Sequence, residues 1–144
     1  MARLHDIVFD SARPAATARF WAAALDGYAV APYDDAELAR LRSEGITSTE
    51  DDPTVLVESA DGGPRLWFQL VPETKRVKNR VHLDLRAVDP EAEIRRLTAL
   101  GATVHARYMK STDSTDSTDS TDSTANVVLT DPEGNEFCLS AADR

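Results

Sequence analysis

The chain has 144 residues, 25 Asp and Glu against 16 Lys and Arg, and a formal net charge of -9. That size suits one ordinary domain or two small modules, and the acidic balance disfavours a nucleic-acid backbone or an anionic membrane as partner. The single cysteine, Cys138, excludes an intrachain disulfide. No apolar stretch suits a signal peptide or a membrane span, so a cytoplasmic location is the default expectation.

In chain order, Leu4 to Asp10 reads as a strand, and Ser11 and Pro14 open an Ala-rich helix that Asp26-Gly27 stops. Phe20, Trp21, Ala24 and Leu25 form its apolar side. Arg13 is a poor cap, which leaves the turn to Ser11. A short strand over Tyr28 to Ala31 precedes a charged helix over Ala36 to Ser43. Thr54 to Glu58 and Arg65 to Val71 are strands around the turn Asp61-Gly62-Gly63-Pro64. Lys75, Arg76, Lys78 and Arg80 then make a basic connector, either a solvated link or a rim that guides an anionic ligand.

The plan then begins again. Val81 to Ala87 alternates, placing His82, Asp84 and Arg86 on one face and Val81, Leu83 and Leu85 on the other. Asp89-Pro90 caps a helix whose apolar side is Ile94, Leu97 and Leu100, and Gly101 ends it. Thr103 to Tyr108, Val127 to Thr130 and Glu136 to Ser140 complete the strands. Both halves read βαβββ, residues 1–72 and 80–144 of one domain spanning 1–144. The fold class is therefore α+β, with paired modules in a curved mixed sheet around a central cavity and helices outside. Ser111 to Thr124 repeats Ser-Thr-Asp without one apolar residue, a low-complexity loop inserted in the second module.

Alternation groups His5 with Ile7 and Phe9, Trp67 with Gln69, and Glu136 with Cys138. Imidazoles, an amide oxygen and a carboxylate or thiolate are all feasible ligands for a divalent ion. Structural roles compete with this reading: His82 satisfied inside a polar pocket, Cys138 as a small inert core residue, Trp21 as helix packing. His105 needs no role beyond surface or packing. No phosphate loop or serine-nucleophile pattern occurs.

Four stretches carry a family resemblance. They are His5 to Phe9 leading to Ala18-Arg19-Phe20-Trp21, Leu66-Trp67-Phe68-Gln69, Val77 to Leu85, and Asp131-Pro132-Glu133-Gly134-Asn135-Glu136-Phe137-Cys138. Over essentially its whole length the chain resembles the vicinal-oxygen-chelate superfamily of glyoxalases, bleomycin-resistance proteins and extradiol dioxygenases. Among these it is most similar to small bacterial glyoxalase-like domains. The resemblance implies metal-ligand positions at His5, Gln69, His82 and Cys138, and zinc, nickel, manganese or iron as the ion. It also implies a homodimer. The fourth ligand is normally a glutamate four residues beyond the turn glycine, where this chain has Cys138. Glu136 shares that face but sits about 6–7 Å away along an extended strand.

The expectation is therefore a small-molecule-binding glyoxalase-like protein with no assigned reaction or catalytic residue. Its ligand contacts would be Trp67, Gln69, His82, Asp84, Glu136 and Cys138, with His5 on the pocket wall. The alternative is a divalent-metal-dependent lyase, isomerase or dioxygenase. A pure protein-interaction module would leave the repeated histidines without a purpose.

Overall fold

A computed structural model describes residues 1–108 and 126–142. The Ser-Thr-Asp run at 111–124 lies outside the described residues. The chain divides into two compact units, 1–75 and 76–144.

The first unit opens with β1 (Asp6–Ser11) and α1 (Pro14–Ala24). Arg13 makes no side-chain cap, and its amide donates instead to Ser11 Oγ at 3.1 Å, so Ser11 supplies the turn. Next come β2 (Tyr28–Val30), α2 (Asp35–Ser43), a 3₁₀ turn (Thr49–Asp51), β3 (Thr54–Ser59) and β4 (Arg65–Leu70). Asp34 caps α2 by accepting the Glu37 amide at 2.9 Å. The sheet order is β1-β4-β3-β2, with β1 parallel to β4 and the other pairs antiparallel.

One face of this sheet is the module's core. Phe9 stacks on Phe68 at 5.0 Å and tilts against Trp21 of α1 at 5.5 Å. Val55, Val57, Leu66, Phe68 and Trp21 are buried there. Side chains of this size contribute about 1.5–3 kcal/mol each on burial. By alternation Val8, Asp10, Leu56, Trp67 and Gln69 take the opposite, open face.

The second unit repeats the plan with β5 (Leu83–Ala87), α3 (Pro90–Ala99), β6 (Thr103–Tyr108), β7 (Asn126–Thr130) and β8 (Glu136–Ala141). Asp89 caps α3 through the Ala92 amide at 3.0 Å, as its Asp-Pro start predicts. The order is β5-β8-β7-β6, with β5 parallel to β8. Val127, Leu129, Phe137 and Leu139 are buried with Ile94 and Leu97 of α3. The same strand order in both units makes the internal repeat one of topology as well as sequence. Among the described residues no helix is long and apolar enough to cross a membrane.

The turn between β7 and β8 sets the register on which the site depends. Buried Asp131 accepts the amides of Glu133 and Asn135, each at 2.9 Å, and the Asn135 side chain at 2.8 Å. Gly134 closes the turn at φ +87, a conformation that side chains with a Cβ disfavour. Thr130 is thereby held opposite Glu136, and Cys138 falls between Val128 and Asp84 on its two neighbouring strands.

Candidate functional site

The polar face of the second sheet brings three predicted residues together. His82 Nε2 lies 3.1 Å from Cys138 Sγ and 3.7 Å from Asp84 Oδ1. One donor atom from each of the three lies within 4.8 Å of the others. Parallel pairing explains the cluster: Asp84 stands opposite Cys138, and His82 precedes the first paired residue, Leu83, by one position. The His82 side chain is only 26% exposed, and its Nδ1 is buried without a hydrogen-bond partner.

Burial pushes the Cys138 thiol above its ordinary range, and the Asp84 carboxylate adds to that while Lys78 opposes it. The sulfur is therefore held as a thiol at neutral pH, a weak donor rather than a nucleophile. Glu136 is engaged elsewhere: its Oε2 accepts the Asn79 backbone amide at 3.1 Å, and its carbonyl accepts the Asn79 side chain at 2.8 Å. It pins the basic connector to β8.

The first module places its predicted residues differently. His5 precedes β1 with a side chain 75% exposed, its Nδ1 3.1 Å from Asp6, on the rim of a cleft of about 840 Å3. Its parity matches Phe9, the helix-facing side, whereas Trp67 and Gln69 occupy the open face. Gln69 stands opposite Asp10 and donates to its carboxylate at 2.7 Å. Five residues of strand, about 16 Å, separate His5 from that position. The structure does not bring His5 and Gln69 together.

The residue that corresponds to His82 is Asp6. Ile7 pairs with Leu66 as Leu83 pairs with Phe137, so Asp6 answers to His82, Val8 to Asp84, and Trp67 to Cys138. Asp6 is bound by both Arg65 Nε at 2.8 Å and Nη2 at 2.9 Å. Those hydrogen bonds hold its carboxyl below the usual range, with help from the charges of Arg65 and His5 and from Trp67. The Arg65 guanidinium also lies 5.9 Å from the Trp67 ring centre. Where the second module has an imidazole and a thiol, the first has an ion pair against an indole.

The helix prolines carry the signal that finds Asp6: it lies eight residues before Pro14, as His82 lies eight before Pro90. A second group escapes sequence reasoning altogether. Tyr33 donates to buried Asp52 at 3.0 Å, and Arg40 reaches Asp52 at 3.3 Å and Glu37 at 2.6 Å. Burial, with Asp52 beside it, pushes the Tyr33 phenol well above its ordinary range. No spacing rule links Tyr33, Arg40 and Asp52, because the loop between α2 and β3 brings them together.

The family model described as "Glyoxalase-like domain" matches residues 6–140. No curated protein matches the chain. Among solved structures, the fosfomycin resistance protein FosX from Mesorhizobium loti is similar at TM-score 0.62 and 10% identity, covering 99% of this chain and 94% of that one. A glyoxalase/bleomycin resistance protein/dioxygenase family enzyme from Burkholderia phytofirmans is similar at 0.57 and 17% identity, covering 97% and 98%. The bleomycin resistance determinant encoded on transposon Tn5 is similar at 0.51 and 14% identity, covering 99% and 100%. At these identities the structural likeness speaks for the fold alone. The chain belongs to the glyoxalase-like domain family of the vicinal-oxygen-chelate superfamily.

Proposed function

We propose that the chain is a small-molecule-binding member of this family, with no reaction assigned. On the second module the ligand contacts are His82, Asp84 and Cys138, with Glu136 as a positioning residue. Taken by itself, the first module offers Trp67 and Gln69 as contacts on its own open face. One observation carries the reading: the sheet's polar face keeps a largely buried imidazole whose Nδ1 has no partner. An orphaned buried polar atom costs about 1–3 kcal/mol, which an apolar residue would avoid, so its retention points to a ligand. The names of the similar structures, resistance proteins and a glyoxalase/dioxygenase enzyme, agree with small organic ligands.

The second reading is a divalent metal site serving a lyase, isomerase or dioxygenase. It is favoured by the nitrogen, oxygen and sulfur donors of His82, Asp84 and Cys138 lying within 4.8 Å of one another. This donor set suits zinc better than manganese, and when bound such an ion would polarise a ligand's oxygen. His82 would hold it through Nε2, Cys138 through the thiolate and Asp84 through a carboxylate oxygen. Two features place this reading second. Metal-bound imidazoles ordinarily give their other ring N–H to an acceptor, and His82 Nδ1 has none. The Asp84 side chain, the third donor, is also 79% exposed to solvent. We read the protein further as a cytoplasmic homodimer, which sedimentation at tens of micromolar tests for the assembly.

Untagged protein titrated with zinc, nickel, manganese and ferrous iron, then screened for melting shifts with a small-molecule panel, tests both readings. The expected result is no stoichiometric ion and ligand shifts that His82→Ala abolishes while His105→Ala preserves them. One ion per chain, lost in both His82→Ala and Cys138→Ala, would put the metal reading first. Ligand shifts identical in wild type and His82→Ala would overturn the site.

A further inference from the structure

The first module holds a concave site of which the roles above use only Trp67. A cavity of about 300 Å3 opens where α2 and its flanking loops meet the open face of the first sheet. It is at the lower end of the range of about 300–1,000 Å3 typical of ligand pockets. Its lining runs from Ala31 to Trp67, within a single compact unit.

Two kinds of residue make up the lining. Trp67, Tyr33, Leu56 and Pro32 supply apolar surface with two aromatic rings, while Glu37 and Asp52 supply carboxylates. Trp67 is steadied from outside the cavity by Arg65, which does not line the cavity and lies over its ring. Tyr33 stays a neutral phenol, its hydroxyl spent on Asp52. The Asp52 side chain is only 1% exposed and accepts Tyr33, Arg40 and the Thr54 amide.

Charge decides which ligand fits. Arg40 is the cation of this network, divided among Glu37, Glu44 and Asp52. Asp34, also on the lining, spends an oxygen on the Glu37 amide. One guanidinium against the three lining carboxylates, Asp34, Glu37 and Asp52, leaves a formal charge of -2 beside the rings. An anionic ligand would be repelled, and a small hydrated metal ion would gain nothing from the indole and phenol walls. A cation whose charge is spread over apolar groups gains from both, through ring quadrupoles and carboxylate field together.

We propose that this cavity binds an organic cation, a protonated or quaternary amine carried on a compact apolar or aromatic body. The inference rests on the small-molecule reading above only through Trp67, and the His82 cluster takes no part in it.

Benzyltrimethylammonium is the test probe, with phenylacetate and benzyl alcohol as anionic and neutral counterparts of similar bulk. Binding is followed on the full chain by calorimetry and by tryptophan fluorescence, where Trp21 is buried and Trp67 carries the response. The expected result is saturable binding of the cation, at least about tenfold weaker binding of the other two, and weakening by added salt. Trp67→Leu and the pair Asp34→Asn with Glu37→Gln should each weaken the cation about tenfold. Asparagine also caps helices, so the double substitution removes charge while α2 stays capped, and it decides the matter alone if Trp67→Leu fails to fold. His82→Ala should leave this titration unchanged while abolishing the panel response of the second module, which separates failure of one site from failure of the other. No saturable binding, equal affinity for phenylacetate, or wild-type affinity in the charge variant overturns the proposal.

Discussion

Replacing His82 by leucine should stabilise the protein while removing its ligand response. Nδ1 of His82 is buried and unpartnered, a standing cost of about 1–3 kcal/mol that leucine does not carry. Against this stands the loss of the Nε2 to Sγ contact at 3.1 Å. A thiol is a weak hydrogen-bonding group, so that loss is below about 1 kcal/mol. Cys138 keeps Asp84 as an acceptor, and leucine returns apolar surface to a position already three-quarters buried. The net is a gain of about 1 kcal/mol, or about 3 °C in melting temperature for a chain of this size. Calorimetry at pH 7.5 with a chelator present, on wild type, His82→Leu, Cys138→Ala and the double variant, measures it. Destabilisation of His82→Leu by more than about 1 kcal/mol would show that the imidazole is satisfied in the folded protein, and the argument that it is kept for a ligand would fail.

Asp84→Asn should raise the rate of Cys138 alkylation by iodoacetamide at pH 8. The carboxylate helps burial hold the thiol's pKa up, and removing its charge enlarges the thiolate fraction; an unchanged or slower rate would contradict this. The Asp6–Arg65 pair predicts an acid dependence of stability. The depressed Asp6 pKa contributes stability that is full above the unfolded carboxylate value of about 3.9 and is lost as pH falls through the folded value. Urea midpoints measured from pH 6 to pH 2.5 should therefore fall less steeply for Asp6→Asn than for wild type, and parallel curves would refute the pairing.

Local signals were sufficient for the elements. Pro14, Asp89-Pro90 and Gly101 start and stop the two principal helices where short-range capping places them, since those contacts span only a few residues. Alternation was enough to put His82 and Asp84 on one face of the fifth strand and Glu136 with Cys138 on one face of the last, because side chains on a strand have a strict period of two. The paired βαβββ plan followed from repeating those signals, and with the Asp131–Asn135 turn it carried the family.

Register and long-range encounter were decided only by the tertiary structure. A shift of one residue exchanges the faces of a strand, and the hydrogen-bonded partner that sets the shift lies 59 residues away for Asp6 and Arg65. His5, the obvious repeat of His82, falls on the helix-facing parity, and the strand pairing puts Asp6, which the proline spacing also marks, in the corresponding place. The contact between His82 and Cys138 spans 56 residues, and the meeting of Tyr33, Arg40 and Asp52 depends on how one loop folds back against α2. Chain alternation names the face on which a side chain lies; only the pairing of distant strands determines its neighbours there.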